Sequence, residues 1–315
     1  MRTANVIKIL LVPAFLICCI SESLGQNFHL TQFKSAPMYF NPALTGTFTG
    51  INQPEDANYR VATDMRSQWK SLGLDPYNTG YIAYERQLDR YGVGGYILDN
   101  SSGSDSFNLL QFHLSGNYNI TERGSDHLLT AGIQLGVFHK TINPENFRFE
   151  SQYSPSAGGF DMSLPNKENI SKSSKTNFDA NVGVYYQYNE SRNRFRPFGG
   201  VSVFHLNKPD EAIYASNKNT SMRWVGMLGS EITINDKIEI QPSILYMNQA
   251  KAQERYVVLD GIYALSDKYS ILGGFGYRLE DAATVQLGLK RNNNLIRFSY
   301  DINTSYLDRY TNGAG

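Results

Sequence analysis

Five histidines, His29, His113, His127, His139 and His205, are the residues of this 315-residue chain best suited to proton transfer or metal binding. A hydrolytic site needs a nucleophile, a base and an orienting group within hydrogen-bond reach of one another. His113, Ser115 and Asn117 are of those types, but every second residue of an extended segment stands side by side on one face, and three such neighbours do not make a triad. No two histidines are close in sequence and the carboxylates are scattered, so no zinc or calcium ligand spacing is present. Glu280-Asp281 offers at most weak calcium binding and reads more simply as a solvated turn. Gly199-Gly200 and Gly273-Gly274 fall inside extended segments, where they suit bends or close packing rather than phosphate binding. The residues point to no catalysis, no cofactor and no metal.

A second group is charged rather than reactive: Arg60, Asp64, Arg66 and Lys70 in one segment, and Arg297 with Asp301 in another. Each lies on the polar side of an alternating pattern. In 59–70, Tyr59, Val61, Met65 and Trp69 oppose Arg60, Asp64, Arg66, Gln68 and Lys70. In 296–302, Ile296, Phe298, Tyr300 and Ile302 oppose Arg297, Ser299 and Asp301. Side chains of a strand alternate faces, so these are strands with one polar and one apolar side. The charged faces carry more charge than the interior of a soluble sandwich accepts.

The same pattern recurs about thirteen times after residue 58. Strands are expected near 58–70, 77–88, 91–99, 106–119, 127–142, 177–189, 195–206, 221–234, 238–248, 254–265, 269–279, 283–290 and 295–306. Many reach the length of a tilted membrane crossing, roughly 9–11 residues. Alternate connections are tight, such as Asp89-Arg90, Asn235-Asp236-Lys237, Ser266-Asp267-Lys268 and Asn292-Asn293-Asn294. The intervening ones are mostly longer: 100–105, 143–176, 207–220 and 249–253. Short turns at one end and long loops at the other mark an up-and-down outer-membrane β-barrel. Tyr77, Tyr118, Tyr246, Tyr269 and Tyr300, near strand ends, are candidates for its interfacial girdles. Closure of such a sheet would bring the charges of the first and last strands together, as a structural ion-pair lattice or as a docking wall for 26–58 or for a partner's terminal domain.

The first 25 residues supply the compartment. Arg2 and Lys8 precede an apolar run from Ile9 to Ile20 and then Ser21-Glu22-Ser23, the order of a secretory signal with a cut before Gln26. The run is too short for a comfortable transmembrane helix, which takes roughly 20 residues. Both cysteines, Cys18 and Cys19, lie within it, so the remaining chain forms no disulfide. The whole chain carries 29 basic and 29 acidic residues; without the signal 27 and 28 remain, a net of −1. Such balance excludes an electrostatic nucleic-acid or membrane-surface binder. Residues 26–58, with Pro37, Pro42 and Pro54, lack alternation and form a periplasmic tail or a plug of the lumen. Residues 143–176 are too long for an idle hairpin and form the leading outward loop. The barrel itself occupies 59–315.

Several short motifs occur in a fixed order: Gln32-Phe33; Asn41-Pro42-Ala43 with Gly46; Arg66-Ser67-Gln68-Trp69; Gln152-Tyr153; Gly159-Phe160-Asp161; Gly276-Tyr277-Arg278; and Ser299-Tyr300-Asp301. In this the chain resembles the PorP/SprF family, outer-membrane proteins of the type IX secretion system, over essentially its whole length after the signal. The resemblance implies a fourteen-stranded barrel without enzymatic activity or cofactor. It implies work with other secretion components on exported surface proteins and adhesins, such as those of gliding motility, that carry a C-terminal secretion domain. Family members continue past a Gly-rich turn, here Asn312-Gly313, into a last strand, whereas this sequence stops at Gly315. Thirteen strands against fourteen gives the expectation of a frame cut before its closing strand. Two rival functions stand beside this one: a diffusion channel or hydrophobic-compound transporter with an N-terminal plug, and a soluble β-sandwich interaction module.

Overall fold

The computed structural model describes residues 30–48, 58–68, 76–102, 106–122, 124–143, 147, 149–154, 158–161, 163–165, 173–190, 192–210 and 219–305. Its strands are β1 (Tyr59–Gln68), β2 (Tyr77–Leu88), β3 (Tyr91–Ser102), β4 (Phe107–Asn119), β5 (His127–Ile142), β6 (Tyr153–Ser154), β7 (Gly159–Phe160), β8 (Ser173–Tyr188), β9 (Phe195–Phe204), β10 (Arg223–Asn235), β11 (Ile238–Gln249), β12 (Ala252–Ser266), β13 (Tyr269–Arg278), β14 (Ala282–Arg291) and β15 (Asn294–Asn303). Thirteen of them form one sheet in chain order, each antiparallel to the next, with β5 pairing directly with β8. The remaining two, β6 and β7, form a separate small ribbon inside the long connection.

The sheet is polar on its concave side and apolar on its convex side. On β4, Gln111, His113, Ser115 and Asn117 are buried, while Leu110, Phe112, Leu114 and Tyr118 are exposed. On β14, Thr284 and Gln286 are buried while Val285 and Leu287 are exposed. Water would favour the reverse arrangement, so the convex face is built for hydrocarbon. Tyr77, Tyr118, Tyr246, Tyr269 and Tyr300 are all exposed on the convex face; Tyr77, Tyr118 and Tyr269 stand at strand ends, whereas Tyr246 and Tyr300 lie farther in. The order begins at β1 and ends at β15, and these two strands are not paired with each other. A cleft of about 520 Å³ lies between them, lined by Arg60–Met65 and Leu295–Ser299.

Two sequence expectations are corrected here. The connection after β11 is only Ala250-Lys251, with Ala250 in the left-handed region at φ 55°, so it is a tight turn and not one of the longer loops. The strand after the long connection begins at Ser173 rather than 177, because Ser173, Ser174, Lys175 and Thr176 extend the ladder with β5 beyond the apolar band. Polar residues there give no alternation of hydrophobicity to read.

Inside the concave side lies Leu30–Phe48, built of a 3-10 turn (Phe33–Ser35), a single helical turn α1 (Pro37–Phe40) and a second 3-10 turn (Pro42–Leu44). Proline opens both α1 and the last turn, at the position where its missing N–H costs nothing. Asn41 caps the last turn by accepting from the Ala43 N–H at 2.9 Å. Leu30, Phe33, Met38, Tyr39, Phe40, Ala43 and Leu44 form an apolar centre with Tyr96, Tyr185, Phe198 and Tyr256 of the sheet. The interior is thus a packed plug rather than a channel at these levels.

Candidate functional site

An irregular chain inside a sheet needs partners for its backbone groups. The inward side chains of the strands supply them. Gln134 Nε2 donates to the Met38 carbonyl (3.0 Å), Arg223 Nη2 to Tyr39 (3.0 Å) and Ser202 Oγ to Phe40 (2.6 Å). Asn117 Nδ2 and Thr130 Oγ1 both donate to Ala43, at 2.7 and 2.8 Å. Asn41 returns a bond from Nδ2 to the Val184 carbonyl (3.1 Å), and the Gly46 N–H donates to Glu85 Oε2 (2.6 Å). The Arg223 guanidinium is held between the rings of Tyr39 and Phe204, at 4.4 and 4.2 Å from their centroids. Asn41, Pro42 and Gly46 each approach a strand glycine closely. A side-chain carbon at Gly132 would strike Pro42, and one at Gly183 would strike Asn41.

The charges singled out from sequence gather around this plug. Asp301 Oδ2 accepts from Arg66 Nη2 at 2.7 Å, so the two end strands are bridged through side chains although their backbones are unpaired. The same oxygen accepts from Thr31 Oγ1 (2.9 Å) and from Arg278 Nη1 (3.3 Å). Arg66, Arg278 and Asp301 come from three of the sequence motifs, which therefore converge on one point. Asp64 accepts from Ser35 Oγ at 2.7 Å. Arg297 donates to Asp260 Oδ1 (3.2 Å) and to Gln286, and Lys34 of the plug reaches the other Asp260 oxygen at 2.8 Å. Arg60 is drawn away from this group to Glu85, at 2.6 Å. Gln68 ends β1, while Trp69 and Lys70 lie outside the described residues.

His113, Ser115 and Asn117 do not converge. His113 Nε2 meets Asp179 Oδ2 (3.0 Å), Ser115 Oγ shares a hydrogen with Thr45 Oγ1 (2.6 Å), and Asn117 holds Ala43. Asp179 also faces His205 Nδ1 at 2.9 Å, making a buried His–Asp–His group that sequence reading missed. Its three members lie far apart in the chain, and only the inward facing of His113 and Asp179 was legible. Asp281 pairs with Arg278 Nη1 at 2.7 Å, which gives that turn a structural partner for its carboxylate. Among the described residues no group of three or more His, Cys, Asp or Glu side chains is arranged to hold a metal ion, the His–Asp–His group included.

The long connection holds the remaining motif residues. Gln152 is buried and organises the ribbon: its Oε1 accepts from the Phe149 N–H (3.2 Å) and its Nε2 donates to the Leu164 carbonyl (3.0 Å). Its carbonyl accepts from the Asp161 N–H at 2.8 Å. Tyr153 and Phe160 are a cross-strand pair on β6 and β7, edge to face at 5.5 Å and both about half exposed. Asp161 Oδ1 accepts from Ser163 Oγ (2.6 Å) and N–H (2.9 Å), and these bonds hold its carboxyl below the usual carboxylate range.

An apolar belt around a polar concave face, filled by the protein's own amino-terminal segment, defines a plugged outer-membrane β-barrel protein. The family model for the type IX secretion system membrane protein PorP/SprF matches residues 23–314. The chain belongs to that family, and its place is the outer membrane. No curated protein is matched by sequence. Among solved structures the chain is similar to the Ralstonia pickettii toluene transporter TbuX, at 14% identity and a TM-score of 0.45, covering 85% of this chain and 88% of that one. It is also similar to the CymD monoaromatic hydrocarbon channel, at 12% identity and 0.45, covering 89% and 90%. A third is the Pseudomonas putida toluene transporter TodX, at 10% and 0.43, covering 84% and 85%. These likenesses are too distant to bear on function.

Proposed function

We propose that this barrel is a non-enzymatic anchor and export partner, holding proteins delivered by type IX secretion, gliding adhesins among them, at the cell surface. The observation that supports it is the bolted lumen. Leu30–Phe48 fills the interior; its backbone is tied to β2, β4, β5, β9, β10 and β12, and its Asn41 side chain to β8. A plug held this way favours a rigid platform over a pore. In this reading the short-turn end faces the periplasm and the long-loop end faces outward, so the connection 143–172 meets the exported client. Other secretion components deliver that client, and the barrel fixes it in the membrane.

Purification of the complete protein from native membranes in detergent, with its partners identified by mass spectrometry, tests this. Exported proteins bearing a C-terminal secretion domain are expected. Steady ion conductance or aromatic-compound uptake by the pure barrel, with no such partner bound, would replace the anchor with a transporter.

A further inference from the structure

We draw no further inference here: the strongest candidate, the cleft between the unpaired strands β1 and β15, lined by Arg60–Met65 and Leu295–Ser299, restates the closing strand that the fourteen-stranded barrel of this family already implies.

Discussion

Asp301 concentrates more of the interior's electrostatics than any single position read from sequence suggested. Its Oδ2 receives Arg66, Arg278 and Thr31, so one oxygen joins β1, β13, β15 and the plug. Asp301→Asn would leave two buried guanidinium groups without their shared anion, and removal of one partner of a buried pair typically costs about 3–5 kcal/mol. Urea unfolding in detergent micelles should show a loss approaching that range, while Ser299→Ala, which removes only the Gln32 contact, should shift stability by less than about 0.5 kcal/mol. Asn41→Ala removes the cap on the last plug turn and the bond to Val184 together. A drop of about 1–3 kcal/mol is expected, with faster proteolysis within 37–45. Alternation alone placed Arg66 and Asp301 on the same side of the sheet. It could not place Arg60 with Glu85 rather than with the seam, because partner choice depends on how far the plug fills each level.

At the level of elements, the strands were legible because hydrocarbon outside and polar groups inside impose a period of two over ten to sixteen residues. Leu114→Arg puts a charge at the middle of the convex face of β4, where such a change costs about 2–4 kcal/mol in a membrane barrel. Unfolding from lipid vesicles should register that loss, whereas a soluble sandwich would tolerate a charge at an exposed site. What alternation could not reveal was the ribbon. Tyr153-Ser154 and Gly159-Phe160 are too short for periodicity, and the feature that makes them a unit is the buried Gln152 side chain. Likewise β5 and β8 continue past their last outward-facing apolar pair, Val137 and Phe178, to the outward pair His139 and Thr176, joined at 2.8 Å.

Across the whole molecule, an interior filled by Leu30–Phe48 is expected to block conduction. Intact protein in a planar bilayer is expected to be electrically silent. Gly132→Val, which places side-chain atoms where Pro42 and Ala43 lie, should displace the plug and produce open-channel events, with residues 30–48 becoming accessible to protease. The sequence showed that 26–58 differs from the strands, but its proline spacing suits a tail and a plug equally. The deciding information is in the inward side chains of other strands, such as Asn117, Gln134 and Ser202, which a linear pattern records only as polar.

The plug also has a direction. It starts near Asp301 and Tyr256 at the long-loop end and descends to Gly46 beside Glu85 and Arg86, near the short-turn end. Since it precedes β1 in the chain, it leaves the translocation machinery before any strand, and its close packing on Gly132 and Gly183 is expected to make late entry unfavourable. The expectation is a mandrel around which the growing sheet is wound. A chain lacking 26–58 should be rescued when that segment is supplied during assembly, and should remain unrescued when the same peptide is added to finished barrels.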